Sequence, residues 1–372
     1  MTIAARATNN MVTTTVGPLS KYGFNFSNTL VGLVTAVMFA TTFVTTSYIN
    51  PSLSSQLRRK AFVASNLVIV VLLLWLYFSN PFTIWIIAAL IGFAFGLVMP
   101  NLITAASLTN DRRTAERLLS LYSTSLSVSL ILGPSYESFL LGRLGYREVF
   151  LAFIPLAIIA LTLSWTVKFP DVKKEIRGMK ALRNRGFLSS VLSITTYNVP
   201  FAAITAFLTI LAIDKFHVPG DLAYSTYVPF FTTSFLTRLY MTVRPFNSLR
   251  LPMLVSVIIT VLGLWGTVFS PTYGFFLIVM AFLGIPHGSV FPMSTIMIQR
   301  ATGKEERNAV NSYFLAFNNF LFIAVPAIVG YMSEYLGLDI TFGLLAIPVL
   351  VVAVVFFKQF WNDRILKGFQ GQ

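Results

Sequence analysis

Apolar runs of about twenty residues recur from one end of this chain to the other, and no soluble packing could bury them all. An α-helix rises about 1.5 Å per residue, so about 20 residues cross the hydrocarbon core of a bilayer. On that scale the chain reads as segments near 1–20, 28–50, 61–79, 82–104, 117–141 and 148–168. After a polar stretch follow 187–212, 222–243, 251–269, 272–299, 309–332 and 340–358. The first begins at Met1 and is short, so the helix is either clipped or starts upstream. Only 11% of the 372 residues are charged and 56% are hydrophobic, whereas a soluble domain carries about a quarter charged residues. The expected fold is an all-α integral membrane protein with twelve transmembrane helices.

A net charge of +14 raises the question of a nucleic-acid partner. The basic residues are neither clustered on one amphipathic face nor interleaved with exposed aromatics, so no nucleic acid is expected. They sit in the short breaks between apolar runs. With the N-terminus inside, twenty-one Lys and Arg fall in the inner loops and tail, and four (Lys21, Arg143, Arg147 and Lys215) fall in the outer loops. That asymmetry follows the positive-inside rule and puts both termini in the cytoplasm of a multi-pass plasma-membrane protein. Residues 1–19 lack the basic start of a cleaved signal peptide. There is no cysteine, and the two histidines, His217 and His287, form no metal motif. Neither a metal nor a cofactor is expected.

The hydrophilic stretch PDVKKEIRGMKALRNR, residues 170–185, splits the chain almost in half. The expected organisation is a six-helix bundle over 1–168, a cytoplasmic linker over 169–186, and a second bundle with a cytoplasmic tail over 187–372. The halves resemble each other. GFAFGLVMP at 92–100 aligns with GIPHGSVFP at 284–292, so Gly92, Gly96 and Pro100 match Gly284, Gly288 and Pro292 at an offset of 192. Glu116-Arg117 and Glu306-Arg307 each follow as an acidic–basic pair. Pro134, Gly145 and Phe150 match Pro326, Gly337 and Phe342 at the same offset. Two pseudo-symmetric bundles are therefore expected, with a binding site near the bilayer midplane. The glycine spacings let helix backbones approach closely. The prolines permit kinks. Both features serve either static packing or movement.

Polar groups buried in lipid are costly and should face the interior. The third, sixth, ninth and twelfth segments are the most apolar and are expected to face lipid. The remaining eight carry the candidates. Arg6 and Arg238 lie about 8 Å inside the inner ends of their helices; they either snorkel to the interface or face a cavity from opposite halves to hold an anionic substrate. Asn10, Tyr197, Asn198 and Asn318 are candidate polar neighbours, or else structural hydrogen-bonding residues between helices. His287, mid-helix, binds substrate, carries a proton, or is a neutral interface histidine. Glu137 sits near the outer end of the fifth segment. Low-dielectric burial penalises an ionised carboxyl, the property a proton-coupling residue needs; the alternative is that it reaches the interface or pairs with Arg143.

Residues 116–150, ERLLSLYSTSLSVSLILGPSYESFLLGRLGYREVF, resemble the fifth helix of the major facilitator superfamily, with the Gly-Pro core of its antiporter motif at Gly133-Pro134. Ser129, Glu137 and Ser138 stand where the motif has glycines. The family's loop between helices two and three is similar to PSLSSQLRRK at 51–60. Arg59 and Lys60 hold basic positions there, and Ser55 replaces the aspartate that serves the usual charge-based inner gate. The resemblance covers nearly the whole chain and implies a secondary active transporter working by alternating access, antiporter or symporter, with a small-molecule substrate and protons as partners beside the lipid bilayer. Efflux and organic-anion transport both fit, and a monomer is expected. Gly133, Pro134, Arg59, Lys60, Gly96 and Gly288 are the expected conformational residues. A non-transporting sensor or scaffold with a transporter fold is the alternative. No GxxxxGK[ST] loop is present for ATP, no ring of like charge for a channel, and no matched acid–base pair for an enzyme.

Overall fold

The structure is a computed structural model that describes residues 1–107, 112–169, 182–302 and 304–368. The described residues are almost entirely helical, with no strand among them. The first six long helices are α1 (Thr2–Pro18), α2 (Asn28–Val44), α3 (Ser55–Tyr77), α4 (Thr83–Ser107), α5 (Arg112–Leu141) and α6 (Tyr146–Ser164). The second six are α7 (Arg185–Phe216), α8 (Tyr227–Val243), α9 (Arg250–Phe269), α10 (Tyr273–Ala301), α11 (Lys304–Leu336) and α12 (Leu338–Phe360). Among the described residues, nine helices are long and apolar enough to cross a membrane. Of the three that fall short of this measure, α1 and α8 have only 17 residues each, and α1, α5 and α8 are all rich in Thr, Ser, Asn or Arg, which lowers their mean hydropathy. Most of the expected linker lies outside the described residues, as do Lys173, Lys174, Arg177 and Lys180. So do the side chains of Arg112, Arg113, Glu116, Arg117, Lys304, Glu306 and Arg307.

Local chemistry sets several helix starts. Ser27, Ser54 and Thr272 each accept the N–H three residues on, from Leu30, Leu57 and Phe275, which satisfies a donor the first turn leaves orphaned. Two helices end in wide turns. Residues Leu19–Gly23 after α1 and Thr45–Ile49 after α2 are π-helical, a geometry that appears mostly as single turns. The apolar run read as one segment at 222–243 is broken at Thr226, with a short helix Gly220–Ser225 before α8.

The chain forms two compact units. One takes the described residues of Met1–Lys174 together with Val218–Ser225; the other takes those of Glu175–His217 and Thr226–Gln372. The short helix Gly220–Ser225 belongs to the first unit, where its backbone and a side chain are both held. Ser138 donates to the Asp221 carbonyl at 2.7 Å, and the Tyr224 hydroxyl donates to the Thr14 carbonyl at 3.0 Å. Met11, Phe62, Leu73, Phe95 and Phe150 are buried in that unit's core. Lipid-type exposure is helical in period: on α3, Leu67, Val71 and Leu74 are exposed at i, i+4, i+7. The expectation that every third helix faces lipid is only partly visible. Windows of α3 and α6 are 39% and 33% buried, but α2 and α11 are also 39% buried.

The repeat is a repeat of packing. A methyl group built on Gly92 would overlap the Met38 carbonyl oxygen, and one on Gly96 would come 2.9 Å from the Thr42 carbonyl oxygen and 2.7 Å from Thr45 Cβ. In the second unit, one on Gly284 would overlap the Phe230 carbonyl oxygen, and one on Gly288 would meet the Ser234 carbonyl oxygen and Thr237 Cβ. Met38, Thr42 and Thr45 correspond to Phe230, Ser234 and Thr237 at the offset of 192 that relates the glycines. So α4 lies on α2 as α10 lies on α8, backbone against backbone, with no room for a side chain. The prolines complete the pattern. Pro100 has no N–H for the Gly96 carbonyl four residues back, and the Thr46 hydroxyl donates to that carbonyl at 3.3 Å.

Candidate functional site

In the second unit, helices α7, α8, α10 and α11 bring five of the candidate residues into one connected group. His287 is 7% exposed and lies among aromatic rings. Its centroid is 4.2 Å from Phe201, 5.1 Å from Phe230, and 5.5 Å from both Tyr197 and Phe231. Pro286 and Pro292 bracket it on α10. Neither proline can donate to the carbonyl four residues before it, which leaves the Phe282 and Gly288 carbonyls without helical partners. The Arg238 guanidinium reaches across from α8 to the His287 carbonyl at 3.5 Å, a long hydrogen bond. Arg238 occupies the position that Thr46 holds in the first half, so a small hydroxyl donor in one repeat is a cation in the other.

Asn198 on α7 donates to the Asn318 carboxamide oxygen on α11 at 2.8 Å. One turn further, Phe201 meets Phe322 edge-on at 5.7 Å, which ties the asparagine pair to the rings around His287. Tyr197 stacks on Phe201 at 5.7 Å and is 2% exposed. Four buried polar atoms in this group have no hydrogen-bond partner among the described residues: Tyr197 Oη, Arg238 Nε, His287 Nε2 and Asn318 Nδ2. An unpaired buried polar atom costs about 1–3 kcal/mol. Four in one cluster is a concentration that calls for a partner.

The first unit holds the remaining candidates. Glu137 on α5 is fully buried at 0% exposure, and the Thr14 hydroxyl of α1 lies within hydrogen-bonding distance of its carboxyl. No Lys or Arg among the described residues pairs with it. Arg143 is exposed, with its guanidinium 4.3 Å from the Phe139 ring, so Glu137 neither reaches the interface nor meets that cation. Arg6 donates to the Tyr122 hydroxyl at 2.6 Å, and among the described residues its buried Nε has no partner, nor has Asn10 Nδ2. The Asn10 carbonyl accepts from the Thr13 and Thr14 hydroxyls at 2.8 Å each.

The conformational candidates separate by how tightly they are packed. Gly96 and Gly288 are at backbone contact, as described. Gly133, buried beside Pro134 on α5, has Ala7 of α1 at 3.7 Å from an added methyl, which is ordinary van der Waals contact. Arg59 is exposed and donates to the Trp165 carbonyl at 3.1 Å, while Lys60 is exposed. Two features escaped the sequence reading. Arg58 turns back to the Asn50 and Leu53 carbonyls at 3.4 Å each, capping the end of the α2 region. The rings of Phe201, Phe230 and Phe231 were missed because phenylalanine is common on every apolar helix of this chain and its spacing carries no mark of a site.

A family model for the Major Facilitator Superfamily matches residues 1–244 and 240–371. Among curated proteins none matches the chain. In fold the chain is similar to a bacterial homolog of the human lysosomal transporter Spinster. The TM-score is 0.81 for the inward-facing, occupied conformation at 10% identity, and 0.70 for the inward-facing, unoccupied one at 12%. Each similarity covers 100% of this chain and 97% of that one. The nucleoside transporter NupG is similar at a TM-score of 0.75 and 15% identity, over 97% of this chain and 98% of that one. At such identities these similarities are of fold alone. The family match spans both halves, and the chain belongs to the major facilitator superfamily, a multi-pass membrane protein of a transporter family rather than an enzyme.

Proposed function

We propose that the chain is a secondary active transporter that moves a small organic anion by alternating access, coupled to protons through Glu137. It works in the plasma membrane with both termini in the cytoplasm. The observation that carries this reading is the group of four unpartnered buried atoms in the second unit. Arg238 Nε and Asn318 Nδ2 can only donate, while Tyr197 Oη and His287 Nε2 can do either. A ligand rich in acceptors completes such a set, and a carboxylate or phosphate completes it best because charge-assisted hydrogen bonds are the stronger kind. The surrounding rings suit a ligand that also carries an apolar or aromatic body.

Glu137 supports the coupling. A buried carboxyl whose hydrogen-bond partner is a neutral hydroxyl exchanges its proton only when water reaches it. The domain organisation follows: bundles over 1–168 and 187–372 with a cytoplasmic linker between them. The test is counterflow in proteoliposomes, screening organic anions, sugars, nucleosides and hydrophobic cations. Exchange of an anion that is reduced in Arg238→Gln is the expected result. Exchange of cations only, indifferent to Arg238, would overturn the substrate class. No exchange of any solute would favour the sensor reading.

A further inference from the structure

The second unit carries a groove of about 460 Å3 between α9 and α12, lined wholly by apolar side chains. Leu254, Ile258 and Leu262 form its α9 wall, and Leu350, Val354 and Phe357 its α12 wall. The α9 residues recur every fourth position, as one face of a helix does. From Leu254 to Leu262 that wall runs about 12 Å. Leu262 and Val354 are 59% and 65% exposed, and an open trough lined by no polar group suits lipid rather than water.

Both walls end at a cation, and at the same end. Arg250 precedes Leu254 by four residues, one turn beyond the α9 wall, and Lys358 follows Val354 by four, on the same helix face and directly after Phe357, the last residue of the α12 wall. The two helix ends meet there. Arg250 Nε donates to the Trp361 carbonyl at 2.5 Å, and Nη2 to the Asn362 side-chain oxygen at 3.2 Å. Its guanidinium lies 5.4 Å from the Trp361 ring. Those two bonds use two of the five donors on an arginine. Lys358 is exposed. The neighbouring carboxylate, Asp363, is taken by Arg185, so it does not neutralise this pair.

An apolar trough running from a doubly basic mouth has the chemistry of an anionic amphiphile: a chain for the trough, a phosphate for the cations, and an indole at the level where headgroups lie. We propose that this groove holds one acyl chain of an anionic phospholipid, with its phosphate on Arg250 and Lys358. A zwitterionic lipid offers the same chain, but its own cation opposes the pair at the mouth. The site is distinct from the group around His287 and does not depend on which solute is carried.

Native mass spectrometry of the full chain in detergent tests the site. Phosphatidylglycerol and phosphatidylcholine of identical chains are added in turn, with inorganic phosphate as a third arm. The wild-type protein should retain phosphatidylglycerol about tenfold better than phosphatidylcholine, as two surface cations allow. Lys358→Gln should erase most of that preference, and Val354→Trp should lower retention of both lipids by filling the trough. Because Val354 and Lys358 are exposed, both variants should fold. Equal retention of the two lipids would overturn the proposal, as would phosphate binding that matches the lipid, or phosphatidylglycerol retention untouched by Val354→Trp. A dimer that Val354→Trp dissolves would assign the groove to a second copy and overturn it as well.

Discussion

The Thr14 hydroxyl lies 3.1 Å from each carboxyl oxygen of Glu137, and both residues are buried. That geometry sets the first prediction. Glu137→Gln keeps the shape and removes the exchangeable proton, so the variant should exchange substrate between equal compartments at near wild-type rate but fail to concentrate it when only a proton gradient is imposed. Uphill accumulation by the Gln variant would remove Glu137 from the coupling role and move it to His287.

Arg238→Gln should weaken binding of an anionic substrate by about ten- to a hundredfold, the value of a charge-assisted hydrogen bond of about 1.5–3 kcal/mol. Arg6→Gln, which keeps a polar group opposite Tyr122, tests whether the first unit contributes a second cation. Thermal unfolding should be nearly unchanged in both. Unaltered affinity in both variants would return the two arginines to interface snorkelling.

The glycine contacts predict a graded series. Gly92→Val or Gly284→Val forces a side chain against the carbonyl of Met38 or Phe230 and should cost about 1–3 kcal/mol or more, read as a fall in Tm. Gly133→Ala, whose methyl would meet Ala7 at an ordinary contact distance of 3.7 Å, should leave stability within a few tenths of a kcal/mol of wild type. Equal effects at the three sites would mean that the close approach does not govern stability.

How far the residues announced this arrangement depends on the kind of signal. Apolar runs of bilayer length locate a helix whatever it packs against, so all twelve segments lie where the runs lie. Their ends do not follow the runs. α7 extends from Arg185 to Phe216 where the apolar run covers 187–212, because a helix continues into the interface as long as its backbone bonds are met. The break at Thr226 left no apolar gap to read. At the site, Arg238, His287 and the Asn198–Asn318 pair were legible since polar groups are costly in lipid. Phe201 was not, because what matters is the placement of its ring against α8, α10 and α11. That placement comes from tertiary packing.

Asp363 gives a pH prediction outside the membrane. Partial burial pushes its carboxyl up, but the N–H groups of Ile365 and Arg364 and the Arg185 guanidinium together hold it below the usual carboxylate range. A lowered folded-state value means the contact contributes in full above the unfolded-state value and is lost as pH falls through the lowered folded-state value. Arg185 is 63% exposed, so the contribution is at most about 1 kcal/mol. Asp363→Asn should lower Tm slightly at pH 7, and the deficit should be smaller at pH 3. An equal deficit at both pH values would assign the effect to the cap on Ile365 instead.

Orientation is open to direct labelling, since the chain has no cysteine of its own. Single cysteines at Ser20 or Ser270 should react with an impermeant thiol reagent added outside once turnover opens the protein around them. Both hydroxyls are buried at rest, so labelling should rise with substrate present. A cysteine at Gly178, in the linker between the halves, should stay unlabelled in intact cells. Labelling there from outside would invert the topology.

The two prolines that flank His287 leave α10 with two missing rungs, at the Phe282 and Gly288 carbonyls, fewer than two turns apart. The histidine therefore rides on a short stiff splint between two soft joints, and the rings of α7 and α8 press on that splint rather than on the helix as a whole. A solute that wedges against His287 would lock both joints at once. Its arrival should be felt far from the ring, as slower amide exchange along α10 toward Tyr273 on one side and Ala301 on the other.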